Sequence, residues 1–595
     1  MLQRLASPFW RSSIAAELRV GPLALRGTLP WLLRAKLKQV ESLLEVALRN
    51  ARTAPHDLAF EMDDEHLTWS ELATTTSRIA HTLAAAGVEQ GDVVALFAEN
   101  SPFYVAAVLG ASRVGATAAL INTNLRGRPL THAIEVSAAK VVVVGHTLEP
   151  ALRDCEELCQ SLDRILVFDD DPYARFLRDA PTTPYPPARV RTDDDFIYIY
   201  TSGTTGLPKP CRISHARAIL AGAGFGSLMY EFGPGDKLYC VLPLYHASGF
   251  LLGVAAAMTS RIPVALRQSF SARAFWDDVH RYRATAILYI GELCRYLVNS
   301  PPHPKELPNP VRVAVGNGLR PDIWPSFKAR FGIAQIREFY GATEAPGFIA
   351  NLSGREGSVG RVPLGGLGGW MRLVRYDVDR DRHMHDERGF CVPCEPHEVG
   401  ELLIRIPTMS TAGLEYRGYT DQAATEKKLL RNVFKEGDQY FRSGDLLRYD
   451  EDGFYYFVDR IGDTFRWKGE NVSTAEVADV IANHDGIDEA TIVGVHVPNM
   501  DGQAGLAAVV PSGPFDPQGF WRAVSDLPPY AQPRFVRVMS GLAKTATFKI
   551  QKGDLKKQGV DPATVQDPLY VRTSGGYEPL TVERWADIKE GRLQL

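Results

Sequence analysis

Short apolar runs punctuate the chain and give its first outline. Val93-Val94-Ala95-Leu96-Phe97 predicts a strand, residues 103–114 a helix and residues 117–121 a second strand. Residues 140–144 and 165–168 add strands, and Phe196-Ile197-Tyr198-Ile199-Tyr200 reads as a buried one. The same rhythm returns at 238–242, 286–289 and 311–315. Strands alternating with helices predict βαβ units and a largely parallel sheet. From about residue 357 to 460 the pattern changes to many glycines and short alternating strands, as in a small barrel or an antiparallel sheet. Beyond Gly462 it changes again. Helices are predicted at 474–483 and 520–527 and strands at 490–495 and 506–510, an α+β unit. The expected fold class is α/β: a large N-terminal domain (43–461) of stacked, mostly parallel α/β sheets with a small β-barrel-like subdomain, then a smaller α+β C-terminal domain (462–595).

Residues 1–42 stand apart as a basic leader. Arg4, Arg11, Arg19, Arg26, Arg34, Lys36 and Lys38 alternate with Phe9, Trp10, Leu18, Trp31 and Leu32. Such a segment either lies on an anionic membrane surface or packs on the first domain with its basic side solvated. Gly21-Pro22 and Leu29-Pro30 prevent one long helix. The leader has no signal-peptide apolar core. Residues 104–120 and 249–266 are the most apolar stretches, but Arg113 and Arg261 interrupt them, so they read as buried helices of α/β units.

Composition narrows the class. A chain of 595 residues exceeds what one core sustains. Lys+Arg number 66 against Asp+Glu 70, which leaves no basic surplus for nucleic acid. Seven scattered cysteines show no disulfide framework and point to reduced thiols in the cytoplasm. Cys391-x-x-Cys394 has no second pair and reads as a hairpin turn around Val392-Pro393.

The candidate chemistry begins at residues 200–209, Y-T-S-G-T-T-G-L-P-K. A strand enters a small-residue loop and a helical pattern starts near Ser214. Gly203 and Gly206 let backbone approach a ligand, Thr201, Ser202, Thr204 and Thr205 offer hydroxyls, and Lys209 adds a charge. Such a loop holds phosphate oxygens or is a plain solvated turn. It is not a Walker loop, because Leu207-Pro208 separate Gly206 from Lys209. Gly316, Asn317 and Gly318 follow an apolar strand, where α/β sheets bind ligands. In Tyr340-Gly341-Ala342-Thr343-Glu344 the aromatic can stack on a base, and Glu344 is a hard oxygen ligand suited to phosphate-bound Mg²⁺. Asp445 can accept ribose hydroxyls, and Arg460, fifteen residues on, can reach ribose or phosphate. Taken singly, Asp445 and Arg460 each read first as a surface ion pair.

Together these runs resemble the adenylate-forming superfamily of acyl-CoA synthetases, luciferases and peptide-synthetase adenylation domains. Pro210 departs from it, many members having Gly after the loop lysine, and so does Phe548, where Gly is commoner. The resemblance implies phosphates at Thr201–Lys209, adenine at Tyr340, phosphate at Thr343, Mg²⁺ at Glu344 and ribose at Asp445 and Arg460. It implies that Lys549 reaches the carboxylate and α-phosphate, and that His246 lies beside the acyl carboxylate and serves the thioester step. It further implies that the C-terminal domain is a mobile lid turning about Gly462, which brings Arg466, Trp467, Lys468, Gly469 and Glu470 to the site for coenzyme A. Tyr289-Ile290-Gly291-Glu292-Leu293-Cys294-Arg295-Tyr296-Leu297 and residues 459–474 look like the very-long-chain acyl-CoA synthetase and fatty-acid transport protein branch. The implied activity is ATP-dependent conversion of long- or very-long-chain fatty acids to acyl-CoA through acyl-AMP. Its substrates are the fatty acid, ATP and coenzyme A, with Mg²⁺. It takes place in the cytoplasm, with peripheral membrane contact and a homodimer left open. Acyl-AMP passed to a carrier protein, a peptide-synthetase-type domain and a lipid-uptake protein remain alternatives.

Overall fold

The computed structural model describes residues 42–595 except 156–158, 160, 169–175, 203–206, 363–369, 379, 408–414, 468–469, 499, 501, 526, 546–549 and 594. The leader, apart from Ser42, lies outside the described residues.

The βαβ rhythm folds as two sheets with helices between and around them. The first runs Arg164–Phe168, Val141–Gly145, Val93–Phe97, Thr117–Leu120, Asp195–Ser202, Pro208–Ser214. Its pairings are parallel except the last. Its central strands Val93–Phe97, Thr117–Leu120 and Val141–Gly145 are buried on both faces, as parallel strands under helices must be. The helix Pro102–Val114 is buried along its whole length, Arg113 included, whose Nε donates to Tyr185 O at 2.6 Å. Ser101 caps its start, and Gly115 ends it in the left-handed region at φ 90°.

The second sheet has a parallel centre of Gln335–Tyr340, Val313–Asn317, Ala286–Ile290, Leu238–Cys240, Val264–Leu266 and Leu58–Met62. Beyond Gln335–Tyr340 the sheet turns antiparallel and continues without a break into the glycine-rich stretch. Of the two forms the pattern allowed there, an antiparallel ladder is found, and among the described residues no pairing closes it into a separate ring. Cys391 and Cys394 sit in it as buried residues. The turn lies at Asp386–Phe390 and not at Val392-Pro393, which are extended and bonded to residues 374–384. Asp386 and Gly389, at φ 83°, carry the turn chemistry.

The two sheets meet at the carboxyl ends of their strands. Asn100, buried just past Val93–Phe97, donates to Leu242 O (3.0 Å) and Arg267 O (3.1 Å) and accepts from Leu244 N (2.8 Å). Ligands bind at this edge in open α/β folds.

After Phe454–Arg460 a second hydrophobic core begins at Phe465. It packs around the five-stranded sheet Ile487–Val495, Ala504–Pro511, Phe535–Val538, Leu569–Thr573 and Gly576–Pro579. Among the described residues no helix is long and apolar enough to cross a membrane.

Candidate nucleotide-binding site

The phosphate-type loop is the tip of a hairpin. Asp195–Ser202 pairs antiparallel with Pro208–Ser214, Thr201 facing Lys209, and only then does the helix His215–Gly224 begin, capped by Ser214. The expected strand-to-helix passage therefore contains an extra strand. Residues 203–206 lie outside the described residues. Pro208 and Pro210 are tolerated in that strand for a local reason. Even-numbered positions turn their backbone away from the hairpin: Arg212 N donates to Gly418 O (3.1 Å) and Pro210 O accepts from Thr420 N (3.2 Å). A proline at such a position costs the hairpin no donor.

Those bonds dock residues 415–420 on the hairpin. Ser214 Oγ donates to Glu415 Oε1 (3.0 Å), and Asp195 takes Arg212 (2.8 Å) and Arg417 (3.0 Å) on its two oxygens. Tyr419 is thereby aimed at Glu344, donating to Oε1 at 2.7 Å, and its hydroxyl also meets the Thr201 side chain. Burial first, then the Glu344 charge, holds the Tyr419 hydroxyl protonated and so a donor. Glu344 itself is 7% exposed. Arg217 straps its flanks, donating to Thr343 O (2.8 Å) and to Ala345 O. The structure thus brings Thr201, Thr343 and Glu344 together.

On the other side, Tyr340 donates through its hydroxyl to Asp445 Oδ2 at 2.6 Å. Asp445 and Arg460 face each other across paired strands, with Nε and Oδ1 at 3.6 Å. The strand at Asp445 is set from behind. Gly444, at φ 78°, donates its N–H to Glu401 Oε1 at 3.0 Å. Glu401 is 0% exposed and also receives His383 Nε2 (2.5 Å) and Arg442 Nη2 (3.2 Å).

The third edge is the turn after Val313–Asn317. A side chain on Gly316 would strike Tyr289, and one on Gly291 would fall 1.6 Å from Gly318 O, so the two backbones touch. Glu338, fully buried, holds this turn by accepting Tyr289 OH (2.7 Å), Gly318 N (2.9 Å) and Leu319 N (3.0 Å). Burial pushes its carboxyl up to about 8 in spite of the three donors. Between the ordinary 4.5 and about 8 the folded protein keeps a proton that the unfolded chain has lost. This site's contribution to stability is therefore complete below about 4.5 and is lost as pH rises through about 8. We expect Glu338→Gln to flatten the fall in urea-unfolding free energy across that window; an unchanged slope would refute the assignment.

His246 sits in the loop that Asn100 pins, its ring 4.6 Å from that of Tyr245. The coenzyme A run is split by position. Phe465–Trp467 and Glu470–Val472 form a small hairpin in the C-terminal unit. Trp467 is 1% exposed, with Arg534 over its ring, so its side chain anchors the hairpin in the core and cannot meet a ligand there. Lys468, Gly469 and Lys549 lie outside the described residues. Gly462 takes φ 89° in an open turn with nothing within 4 Å of an added Cβ, a backbone that only glycine adopts freely. Its carbonyl accepts Lys556 Nζ at 2.5 Å, and Lys552 and Lys556 flank Asp463.

Tyr419, Arg217, Asn100, Glu338 and Glu401 were not foreseen. Each acts on a partner from another element, and no local pattern marks such a pairing.

Comparison with known proteins agrees with this geometry. The family profile "AMP-binding enzyme" matches residues 48–412, and "AMP-binding enzyme C-terminal domain" matches 476–549. The long-chain fatty acid transport protein 1 of Mus musculus is 40% identical over 570 residues, 92% of this chain and 87% of that protein. The medium/long-chain-fatty-acid–CoA ligase FadD6 of Mycobacterium tuberculosis is 38% identical over 578 residues, 96% and 95% of the two chains. The crystal structure of the anthranilate CoA ligase AuaEII with anthranoyl-AMP superposes with a TM-score of 0.73 at 21% identity, covering 87% and 97%. With a nucleotide-type hairpin, a Tyr–Asp–Arg constellation and a match over both of its domains, the chain belongs to the AMP-binding enzyme family.

Proposed function

We propose that the protein is an ATP-dependent fatty acid–CoA ligase acting on long or very long chains. The observation that carries this is the pairing of two constellations joined by the run Tyr340–Glu344: Tyr340–Asp445–Arg460 at its start and Thr201–Tyr419–Glu344 at its end. The first suits a nucleoside and the second a metal-bound polyphosphate. Glu344 is a buried carboxylate met by a phenol, and among the described residues no Lys or Arg pairs with it. Such a group fits Mg²⁺, which takes one or two protein carboxylates and completes its shell with phosphate and water. Bound there, the ion would neutralise phosphate charge.

Fatty carboxylate attack on the α-phosphorus of ATP gives acyl-AMP and pyrophosphate. Thiol attack by coenzyme A on the acyl carbonyl then gives the thioester, AMP and a proton. The protein's share is positioning and charge stabilisation. Thr201 and Lys209 frame the phosphates, Asp445 accepts ribose hydroxyls, and Lys549 meets the developing charge. His246 stands beside the acyl carboxylate, and Arg466 and Glu470 serve the thioester step. Each buried methylene contributes about 0.8 kcal/mol, so ten contribute about 8 kcal/mol and long chains suit an apolar channel.

Such acids reside in membranes, which gives the basic leader a use on an anionic surface. Deleting residues 1–40 is expected to weaken co-sedimentation with anionic vesicles several-fold and leave neutral vesicles unaffected; equal binding without the leader removes this idea.

The test of the ligase reading uses purified protein, ATP, Mg²⁺ and a series of fatty acids, with and without coenzyme A, followed by mass spectrometry. Acyl-CoA and AMP appearing together only with coenzyme A support it. Acyl-AMP without thioester favours delivery to a carrier protein. The names of the fatty acid transport protein relatives favour a second reading, lipid uptake. Uptake that survives Lys549→Ala would support that reading.

A further inference from the structure

The helix Gly291–Asn299 carries one of the runs that resemble the long-chain branch, and the nucleotide site uses only its first residue. Its outer face meets the C-terminal unit. Arg295 donates through Nη1 to Asp488 O (2.7 Å) while its other nitrogens grip Glu292 (3.0 and 2.5 Å). Lys544 reaches across from the C-terminal unit. Its Nζ donates to Tyr296 OH (2.6 Å) and to Glu489 Oε1 (2.5 Å), with Glu292 Oε1 at 3.7 Å. Nearby, Arg320 bonds Asp479 through Oδ1 (3.0 Å) and O (3.3 Å). Burial alone would lower the Lys544 pKa, but Glu489 and Tyr296 raise it, so the clamp stays charged.

Lys544 is also where the segment bearing Lys549 leaves the C-terminal unit. Ile550 bridges back to Lys544, and Gln551 N donates to Ala543 O at 2.8 Å. The root of that segment is thus fixed against a helix whose first residue touches the Gly318 turn of the nucleotide site.

We propose that Lys544 is a positioning residue for the first half-reaction: held by Tyr296 and Glu292, it fixes the root of the Lys549 segment against the helix Gly291–Asn299. This rests on the ligase reading. The helix Gly291–Asn299 is accordingly a docking surface for the chain's own C-terminal unit.

The experiment separates the half-reactions in the full-length protein. Acyl-AMP formation is followed in single turnover without coenzyme A, and thioester formation is followed from chemically prepared acyl-AMP plus coenzyme A. Lys544→Ala is expected to slow the first roughly tenfold to a hundredfold, the size of a lost hydrogen bond to a charged group, and to leave the second within about twofold. Tyr296→Phe, which removes one hydroxyl from the other side of the contact, shifts the first step in the same direction, and Lys544→Arg restores part of it. Equal losses in both half-reactions, or no loss in either, overturn the proposal. A bis-maleimide cross-link between Tyr296→Cys and Lys544→Cys, made without substrates, tests the contact independently of activity; the seven natural cysteines are buried and stay silent. Absence of the cross-link overturns the docking. A cross-link in a protein that forms no adenylate from any acid sinks the ligase reading, and this role for Lys544 with it.

Discussion

Asp445→Ala lowers kcat/KM for ATP about 10²- to 10³-fold while KM for the fatty acid changes little. Asp445 stands at the end of a short relay, with Tyr340 donating to one oxygen at 2.6 Å and Arg460 at 3.6 Å from the other. Its backbone is set by the Gly444 bond to buried Glu401. In the proposed site this carboxylate would accept two ribose hydroxyls, and each charge-assisted bond contributes about 1.5–3 kcal/mol. Removing it also strips Tyr340 of its acceptor, so the loss exceeds that of Tyr340→Phe. Asp445→Asn keeps one acceptor and falls between. Steady-state kinetics with ATP and fatty acid varied in turn decide it; equal changes in both KM values would point to general damage rather than to ribose binding.

Lys549→Ala is expected to slow acyl-AMP formation by about 10²- to 10³-fold, the usual consequence of removing one preorganised charge from a site where negative charge develops. Thioester formation from supplied acyl-AMP is expected to persist, since the proposed mechanism gives the lysine no part in that step. Lys549→Arg recovers little, a guanidinium fork being a poor replacement for a compact ammonium. The check is a single-turnover measurement of each half-reaction. A variant that forms acyl-AMP at the normal rate would remove Lys549 from the first step.

The fold was legible wherever burial is two-sided. Val93–Phe97, Ala286–Ile290 and Val141–Gly145 are continuous apolar strands, and their parallel order follows from the helices between them. Pro208–Ser214 was not legible, because its prolines argue against a strand unless the unused edge positions are known, and those depend on residues 415–420. The same holds for the site. Tyr340, Glu344, Asp445 and Arg460 are marked as candidates by local order. Tyr419 and Glu401 are not, since their worth lies in hydrogen bonds to Glu344 and Gly444 that only the folded chain creates. Trp467 stands in a telling run, yet its side chain is buried in the C-terminal core, a placement the local order does not reveal.

The most direct test of the acyl-adenylate account is the fate of oxygen in the fatty acid. The acid is labelled with oxygen-18 at both carboxylate positions and incubated with enzyme, ATP, Mg²⁺ and coenzyme A, and the products are weighed by mass spectrometry. Attack of the carboxylate on the α-phosphorus predicts one labelled oxygen in AMP and one in the thioester carbonyl. Unlabelled AMP, or label in pyrophosphate or phosphate, would contradict an acyl-AMP intermediate.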